Sequence, residues 1–154
     1  MGNIAILAGG DSTLLPREHD VYVGVDGGCL KLLEQGLPLD IAVGDFDSVS
    51  ETDLRQIRTQ AKQVVQSVPE KNDTDLELAL KAVFEAYPDT AVTVYGAFGG
   101  RLDHFLSNIF LPTDPDLSCR VIYFPHSPGE TSPHAILDVI VFSFPYSQAG
   151  NLTK

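Results

Sequence analysis

Apolar residues occur along this chain in short runs that are separated by polar, often glycine-containing segments. Runs rich in β-branched and aromatic residues predict six strands: Ile4–Leu7, Val21–Val25, Ile41–Val43, Val64–Val68, Val92–Tyr95 and Val121–Phe124. The segments between them predict four helices: Leu30–Gln35, Asp53–Gln60, Thr74–Tyr87 and Leu102–Phe110. Such alternation predicts an α/β fold with a parallel sheet, and the continuous apolar runs indicate that the sheet is buried on both faces.

The segment Thr74–Tyr87 has the strongest helical pattern. Its apolar stripe recurs with the helical period and consists of Leu76, Leu80, Val83 and Tyr87. Glu77 precedes Lys81 by one helical turn, which is the order of charges that stabilises a helix best. This segment is therefore expected to pack one face against the sheet.

The character of the chain changes after Leu111. Six of the ten prolines lie in the 43 residues that follow, and the strand–helix alternation stops there. The strongest element left is Ala135–Phe144, an apolar run that predicts a strand. We therefore divide the chain into an α/β domain of residues 1–111 and a proline-rich, β-containing segment of residues 112–154.

Acidic residues outnumber basic residues by 21 to 10, which gives a formal net charge of −11. A surface of this sign repels nucleic-acid phosphates and anionic lipids, so neither is expected as a partner. The excess is largest in residues 1–48, which contain eight acidic residues but only Arg17 and Lys31 as bases. Such a field favours a divalent cation, alone or with its bound phosphates.

Cysteine use and hydropathy indicate the compartment. Cys29 and Cys119 lie 90 residues apart and form no Cys-x-x-Cys pair, so neither a zinc site nor a disulfide framework is expected. The first residues lack a basic leader, and no segment approaches the roughly 20 apolar residues that cross a bilayer. These features favour a soluble protein of the reducing cytoplasm.

Polar clusters follow several of the predicted strands, where open parallel sheets bind their ligands. The first cluster is Asp26-Gly27-Gly28, directly after Val21–Val25. Its glycines allow the backbone either to approach a phosphate closely or to make a tight turn into the next helix. This cluster alone leaves both interpretations open.

The second cluster, Gly44 to Ser48, places Asp45 and Asp47 two residues apart at the end of the third predicted strand. Mg²⁺ prefers oxygen ligands and is usually held by one or two carboxylates together with phosphates and water. The cluster therefore predicts a magnesium site. The alternative is an acidic, solvated turn in which Ser48 caps the following helix.

The third cluster, Lys71-Asn72-Asp73-Thr74-Asp75, opens the best predicted helix. Acidic residues are favoured at a helix N-terminus, so Asp73 as the cap and Asp75 in the first turn have a purely structural explanation. Lys71 favours a functional explanation, because an ammonium beside the acids can neutralise a polyphosphate as a metal ion does.

A fourth cluster runs from Gly96 to His104 and is followed one turn later by Asn108. Its glycines permit a close backbone approach, and Arg101 can bind phosphate oxygens with both arms of its guanidinium. Asp103 is placed to orient Arg101 or His104, although packing or surface exposure explains His104 alone better than catalysis does. The chain has no P-loop, dinucleotide-binding or protein-kinase signature, so a nucleotide site must be built differently.

Taken in order, the four clusters resemble the motif series of the thiamine pyrophosphokinase family over about residues 3–111. The resemblance implies a Rossmann-like fold and a reaction of ATP with thiamine that gives AMP and thiamine pyrophosphate, with Mg²⁺ as the cofactor. It implies metal-binding acids at Asp26, Asp45, Asp47 and Asp75, and catalytic acids at Asp45, Asp47, Asp73 and Asp75. It implies nucleotide-binding positions at Gly27, Gly28, Ser48, Lys71, Thr74, Gly100, Arg101, Asp103, His104 and Asn108. Among these, Lys71 and Arg101 would face the phosphates.

The family continues downstream with a β-sandwich domain that helps to bind thiamine across a homodimer. The 43 residues after Leu111 are too few for such a sandwich, so we expect a shortened or altered end. Nucleotide and metal binding should persist, whereas thiamine binding, the homodimer and turnover depend on this region being competent.

Two other functions fit part of the pattern. Asp45-Phe46-Asp47 is similar to the nucleophile motif of haloacid-dehalogenase-like phosphatases, in which Asp45 would be phosphorylated and Asp47 would act as acid and base. That interpretation leaves the clusters around Asp75 and Arg101 unexplained. An inactive nucleotide-binding fragment would instead bind ATP and Mg²⁺ but release no AMP.

Overall fold

The computed structural model describes residues 2–10, 14–68, 73–97 and 122–123. The strands are β1 (Asn3–Leu7), β2 (Val21–Val25), β3 (Ile41–Gly44), β4 (Gln63–Gln66), β5 (Ala91–Tyr95) and β6 (Ile122–Tyr123). The helices are α1 (Gly27–Glu34), α2 (Glu51–Gln60) and α3 (Asp75–Ala86). The strands form one sheet in the order β4-β3-β2-β1-β5-β6, and every neighbouring pair is parallel. The predicted α/β fold with a parallel sheet is confirmed.

Helix α3 packs on one face of the sheet, as its apolar stripe predicts. Leu76, Leu80 and Val83 are buried against the β-branched residues of β1, β2, β3 and β5. Tyr87, the last residue of the predicted stripe, is instead 39% exposed, because the helix ends at Ala86 and Tyr87 forms its C-cap. The predicted pair of Glu77 with Lys81, one turn apart, is present at 2.7 Å.

Helices α1 and α2 cover the opposite face, so the central strands are buried on both sides as predicted. Cys29 and Leu32 of α1 and Ile57 of α2 are fully buried in this second core. At β4 the prediction of two-sided burial is wrong, since this strand is largely exposed and Val64 retains 37% of its accessible surface. The physical reason is that β4 is an edge strand, and neither hydrophobic core contains a buried residue of it.

Helices α2 and α3 each begin at a hydroxyl cap. The Ser50 hydroxyl accepts a hydrogen bond from the Asp53 N–H at 3.2 Å, and Thr74 caps α3 in the same way, also at 3.2 Å. Ser48 and Asp73, the caps in the two purely structural alternatives, are therefore not the N-caps of these helices. Helix α2 begins at Glu51, two residues before the predicted Asp53, and α3 begins at Asp75, one residue after the predicted Thr74.

The topology fixes where a ligand is expected. From β1, the strands β2, β3 and β4 are added in turn on one side within the sheet, and β5 and β6 are added on the other side. The order of the strands therefore reverses between β1 and β5. Open α/β sheets bind ligands beyond the carboxyl ends of their strands, near such a switch point. The turns that leave β1, β2, β3 and β5 meet at this edge.

The last predicted strand is present as β6, which pairs with β5. It belongs to the 112–154 segment, so that segment contributes to the sheet, and the division of the chain at Leu111 stays a prediction. The helix predicted at Leu102–Phe110 and the strand predicted at Ala135–Phe144 lie outside the described residues. Each helix within the described residues is too short or too polar to cross a membrane.

Candidate active site

Three acidic side chains meet at the carboxyl edge of the sheet. Asp26 follows β2, Asp45 follows β3, and Asp75 is the first residue of α3. One carboxylate oxygen from each residue lies within 4.8 Å of the other two. We call these three residues the carboxylate group. The parallel arrangement of β2 and β3 thus brings side chains that are distant in the sequence to one site.

The backbone around Asp26 is tightly constrained. Asp26 has a positive φ of 46°, and its N–H donates a hydrogen bond to the Val43 carbonyl at 2.9 Å. Its Oδ1 accepts a hydrogen bond from the Phe46 N–H at 3.3 Å. Gly44 has a φ of 149°, and a Cβ atom there would overlap the Asp26 carboxylate. Because a positive φ costs free energy in a non-glycine residue, these contacts are needed to hold Asp26 in this orientation.

Asp45 lies in a turn that is anchored by the aromatic residue after it. Phe46 has a φ of 59°, and only 3% of its surface is exposed because its ring is buried in the second core. The Asp47 N–H donates to Asp45 Oδ1 at 3.1 Å, which orients the Asp45 carboxylate. The Asp47 and Ser48 side chains are exposed, and Asp47 is not a member of the carboxylate group. The metal and catalytic roles of Asp47, and the nucleotide-binding role of Ser48, stay predictions.

Asp73 and Thr74 form the start of α3, directly before Asp75. Lys81 Nζ lies 3.2 Å from Asp73 Oδ2 and 2.7 Å from Glu77 Oε1, so the ammonium joins the residue before the helix to its first turns. Together with the Thr74 cap, this pair fixes the position of Asp75. The catalytic role of Asp73 and the nucleotide-binding role of Thr74 stay predictions.

The electrostatics of the carboxylate group favour a cation. Burial, followed by the hydrogen bond and the negative charge of Asp75, raises the pKa of Asp26 to about 7, and the charge of Asp45 adds to the effect. Without a cation, Asp26 therefore retains a proton at neutral pH for part of the time. Three converging carboxylates are hard oxygen donors whose mutual repulsion a divalent ion would relieve, so this donor set fits Mg²⁺.

The two glycines after Asp26 differ in their surroundings. A Cβ atom on Gly28 would overlap the Leu7 carbonyl, so this residue allows α1 to approach β1 closely. A Cβ atom on Gly27 would meet no described atom within 4 Å. Tight packing of helix on strand thus accounts for Gly28, whereas Gly27 borders open space beside the carboxylate group. Their nucleotide-binding roles stay predictions.

Gly44 and Lys31 are not among the predicted site residues, although both contribute to this edge. Lys31 Nζ lies 3.3 Å from the Gly9 carbonyl oxygen and also donates to the Gly10 carbonyl. The signal that could have identified Lys31 is its position four residues after Gly27, which places both on one face of a helix. The predicted helix start at Leu30 hides this spacing, because α1 begins earlier, at Gly27.

Some of the predicted site residues lie outside the described residues. They are Lys71, Gly100, Arg101, Asp103, His104 and Asn108. Their phosphate-binding and nucleotide-binding roles stay predictions.

Comparison with known proteins identifies relatives of the chain. The family described as "Thiamin pyrophosphokinase, catalytic domain" matches residues 13–123. The thiamine pyrophosphokinase of Bacillus subtilis (strain 168) is 42% identical over an alignment of 117 residues, and the match covers 72% of this chain and 54% of that protein. The chain thus spans about half the length of the curated relative that it matches.

Solved structures give the same relationship. A thiamin pyrophosphokinase family protein from Enterococcus faecalis is 40% identical with a TM-score of 0.74, over 79% of this chain and 60% of that chain. The thiamine pyrophosphokinase of Bacillus subtilis is 37% identical with a TM-score of 0.64, over 79% of this chain and 59% of that chain. These similarities agree with the parallel α/β sheet described above.

Proposed function

The chain belongs to the thiamin pyrophosphokinase family, and we propose that it forms the nucleotide- and metal-binding part of an enzyme that transfers pyrophosphate from ATP to thiamine. The products of this reaction are thiamine pyrophosphate and AMP. The observation that carries the proposal is the convergence of Asp26, Asp45 and Asp75 at the carboxyl edge of the sheet. A site of oxygen ligands suits a polyphosphate substrate that binds together with a divalent cation.

In this proposal the carboxylate group holds Mg²⁺. When bound, Mg²⁺ would neutralise charge on the phosphate oxygens. The thiamine hydroxyl would attack the β-phosphorus, give its proton to a carboxylate of the site and displace AMP. Asp26 and Asp45 are oriented by backbone N–H groups of the turn after β3, and Asp75 is positioned by the cap of α3. Asp47 is exposed, and Mg²⁺ usually keeps several water ligands, so we assign Asp47 a role through a bound water. Asp73 supports Asp75 through its ion pair with Lys81.

The remaining roles concern the nucleotide. Gly27 borders open space next to the carboxylate group, which leaves room for a phosphate near the backbone. We further propose nucleotide contacts for Gly28, Ser48, Thr74, Gly100, Asp103, His104 and Asn108, and phosphate contacts for Lys71 and Arg101. The last two carry the positive charge that a triphosphate requires beyond the metal ion.

The organisation of the whole protein is also a proposal. Since β6 joins the sheet, we infer that the catalytic domain includes residues 122–123. We propose thiamine as the acceptor, a homodimer as the assembly and the cytoplasm as the location. The location rests on the unpaired arrangement of Cys29 and Cys119 in the sequence.

The phosphatase interpretation is not favoured. It would use Asp45 as a nucleophile and Asp47 as the neighbouring acid and base, as in haloacid-dehalogenase-like enzymes. That interpretation gives no role to Asp75, although a carboxylate oxygen of Asp75 lies within 4.8 Å of one of Asp45 in the structure. The family matches also point to pyrophosphate transfer.

The test is to incubate the chain with ATP, thiamine and Mg²⁺ and to follow phosphorus NMR signals. We expect AMP and thiamine pyrophosphate in equal amounts, with neither formed when the metal is chelated. The control variant is Asp89→Asn, an exposed acid between α3 and β5, which should leave the rate unchanged. Binding of ATP and Mg²⁺ without AMP release would support an inactive binding fragment, and a phosphorylated Asp45 would support the phosphatase.

A further inference from the structure

Lys31 is a positively charged side chain at the carboxyl edge of the sheet, and the proposed function assigns it no role. Its Nζ donates hydrogen bonds to the backbone carbonyls of Gly9, at 3.3 Å, and Gly10. These carbonyls belong to the turn that leaves β1, at the switch point of the sheet. Lys31 therefore ties α1 to this turn through two hydrogen bonds from one ammonium group.

The same turn is held from the other side by the chain that leaves β5. The Ala8 N–H donates to the Tyr95 carbonyl at 2.9 Å, and the Gly10 N–H donates to the Gly96 carbonyl at 3.2 Å. We call Gly9, Gly10 and Gly96 the glycine turns. Lys31 and Gly96 thus bind the two polar backbone groups of Gly10, its carbonyl and its N–H.

The glycine turns border the carboxylate group. A Cβ atom built on Gly9 would lie 3.9 Å from the Val25 carbonyl oxygen and 4.0 Å from the Gly27 nitrogen. Val25 and Gly27 are the residues on either side of Asp26. A polyphosphate that binds a cation at the carboxylate group therefore has the glycine turns as its neighbour.

Lys31 adds positive charge to an acidic surrounding. Residues 1–48 contain Arg17 and Lys31 as their bases, and Arg17 donates to the Gln35 carbonyl at 2.8 Å. Lys31 is the one of these two that reaches the carboxyl edge of the sheet. An ammonium has three donors. Two of those of Lys31 bind the Gly9 and Gly10 carbonyls, and the third has no partner among the residues that the structure describes.

We propose that Lys31 is a positioning residue for the polyphosphate side of this site. It binds the Gly9 and Gly10 carbonyl oxygens, whose partial negative charge would otherwise repel phosphate. The ammonium thereby reduces the electrostatic repulsion between the glycine turns and a bound polyphosphate. The inference rests on the proposed function in one respect, namely that the ligand is a nucleotide polyphosphate. Loss of the ammonium should therefore weaken ATP binding more than AMP binding.

The first experiment measures nucleotide affinity in the full chain by calorimetry, with Mg²⁺ present. Lys31→Met keeps most of the stem but removes the charge and the donors, and we expect ATP to bind about tenfold more weakly, the effect of one lost charge-assisted hydrogen bond. AMP affinity should change much less. Lys31→Arg should bind ATP almost as tightly as the native chain, and Lys31→Gln should bind it less tightly than Lys31→Arg. The control is Lys62→Met, at an exposed lysine paired with Asp40, which should leave ATP affinity unchanged. Equal losses for ATP and AMP, or no loss, would overturn the proposal.

A second measurement distinguishes this proposal from the proposed function. Amide NMR spectra of the ligand-free chain report directly on Gly10 and Gly96, and Lys31→Met should shift both signals while Lys62→Met shifts neither. If the native chain binds no ATP, the proposed function fails, yet these shifts still test whether Lys31 positions the turns. Unshifted Gly10 and Gly96 signals in Lys31→Met would refute the positioning role regardless of nucleotide binding.

Discussion

The carboxylate group and the glycine turns lie side by side at one edge of the same sheet, but the first consists of side chains and the second of backbone groups. Side chains form the first region, and hydrogen bonds together with the burial of Phe46 hold them in place although Asp26 and Phe46 have positive φ angles. Peptide groups form the second, joined to β5 by hydrogen bonds and to α1 by Lys31. Removing a side chain from the first region should therefore abolish chemistry but spare the fold, whereas adding one near the second should disturb the fold first.

The largest expected effect is on the carboxylate group. Asp45→Asn retains the size of the side chain and removes its charge, so pyrophosphate transfer should fall by on the order of 10²-fold or more, as when a key electrostatic stabiliser is lost. Steady-state rates of AMP formation measure this. Thermal unfolding should show that the variant remains as stable as the native chain. If the variant kept its rate, or lost activity only because it unfolded, the claim that this side chain serves the chemistry and not the fold would be wrong.

The next largest effect is expected at Gly28, where α1 packs closely on β1. Gly28→Ala would press a methyl group onto the Leu7 carbonyl, so we expect the free energy of unfolding to fall by about 1–3 kcal/mol, as for other overpacked sites. Gly27→Ala is the matched control, because its methyl group would meet no described atom, and its effect should stay within about 0.5 kcal/mol. Urea unfolding measures both. Equal effects of the two substitutions would show that packing at Gly28 is not tight.

A smaller effect is expected at the margin of the carboxylate group. Asp47→Asn should lower the rate by about tenfold, less than Asp45→Asn, since a ligand that acts through water contributes less than a direct one. The measurement is the rate of AMP formation at saturating Mg²⁺. A loss as large as that of Asp45→Asn would place Asp47 among the direct ligands, and an unchanged rate would remove it from the site.

The smallest effect depends on pH and involves a histidine beneath the end of β5. His19 Nε2 lies 2.9 Å from the Tyr95 hydroxyl, and burial lowers the pKa of His19 below 6.5 although Glu18 and Asp20 oppose the shift. The unfolded chain therefore binds a proton more readily, so His19 should reduce the free energy of unfolding as the pH falls below 6.5. Above that pH, this contribution is absent.

His19→Phe keeps a ring but cannot titrate, which isolates this effect. Its free energy of unfolding should fall less steeply between about pH 7 and about pH 5 than that of the native chain. Urea unfolding at several pH values gives the two slopes. Parallel slopes would show that His19 titrates alike in the folded and unfolded chains.

Much of the fold could be predicted because its signals are local. The runs at Val21–Val25 and Ile41–Val43 and the stripe of α3 indicate which residues face the core, and their alternation fixes the parallel sheet. The start of α1 could not be predicted in this way. Gly27 and Gly28 are poor helix formers, and their place in the helix depends on the tertiary contact between Gly28 and Leu7.

The candidate site could be predicted in outline but not in geometry. Carboxylates at the ends of neighbouring parallel strands are expected to meet, as Asp26 and Asp45 do. Which carboxylates converge depends on the turn around Phe46, whose positive φ and buried ring direct Asp45 inward while Asp47 stays exposed. Lys31 shows the same limit, because its partners are backbone carbonyls that no sequence pattern marks.

The central claim, that the carboxylate group binds a divalent cation together with ATP, is tested most directly by Mn²⁺ titration. Electron paramagnetic resonance measures free Mn²⁺ in the presence of ATP and of the native chain or one variant. The account predicts that Asp26→Asn, Asp45→Asn and Asp75→Asn each weaken Mn²⁺ binding by on the order of tenfold or more, whereas Asp89→Asn does not. Equal Mn²⁺ affinity in the native chain and all four variants would contradict it.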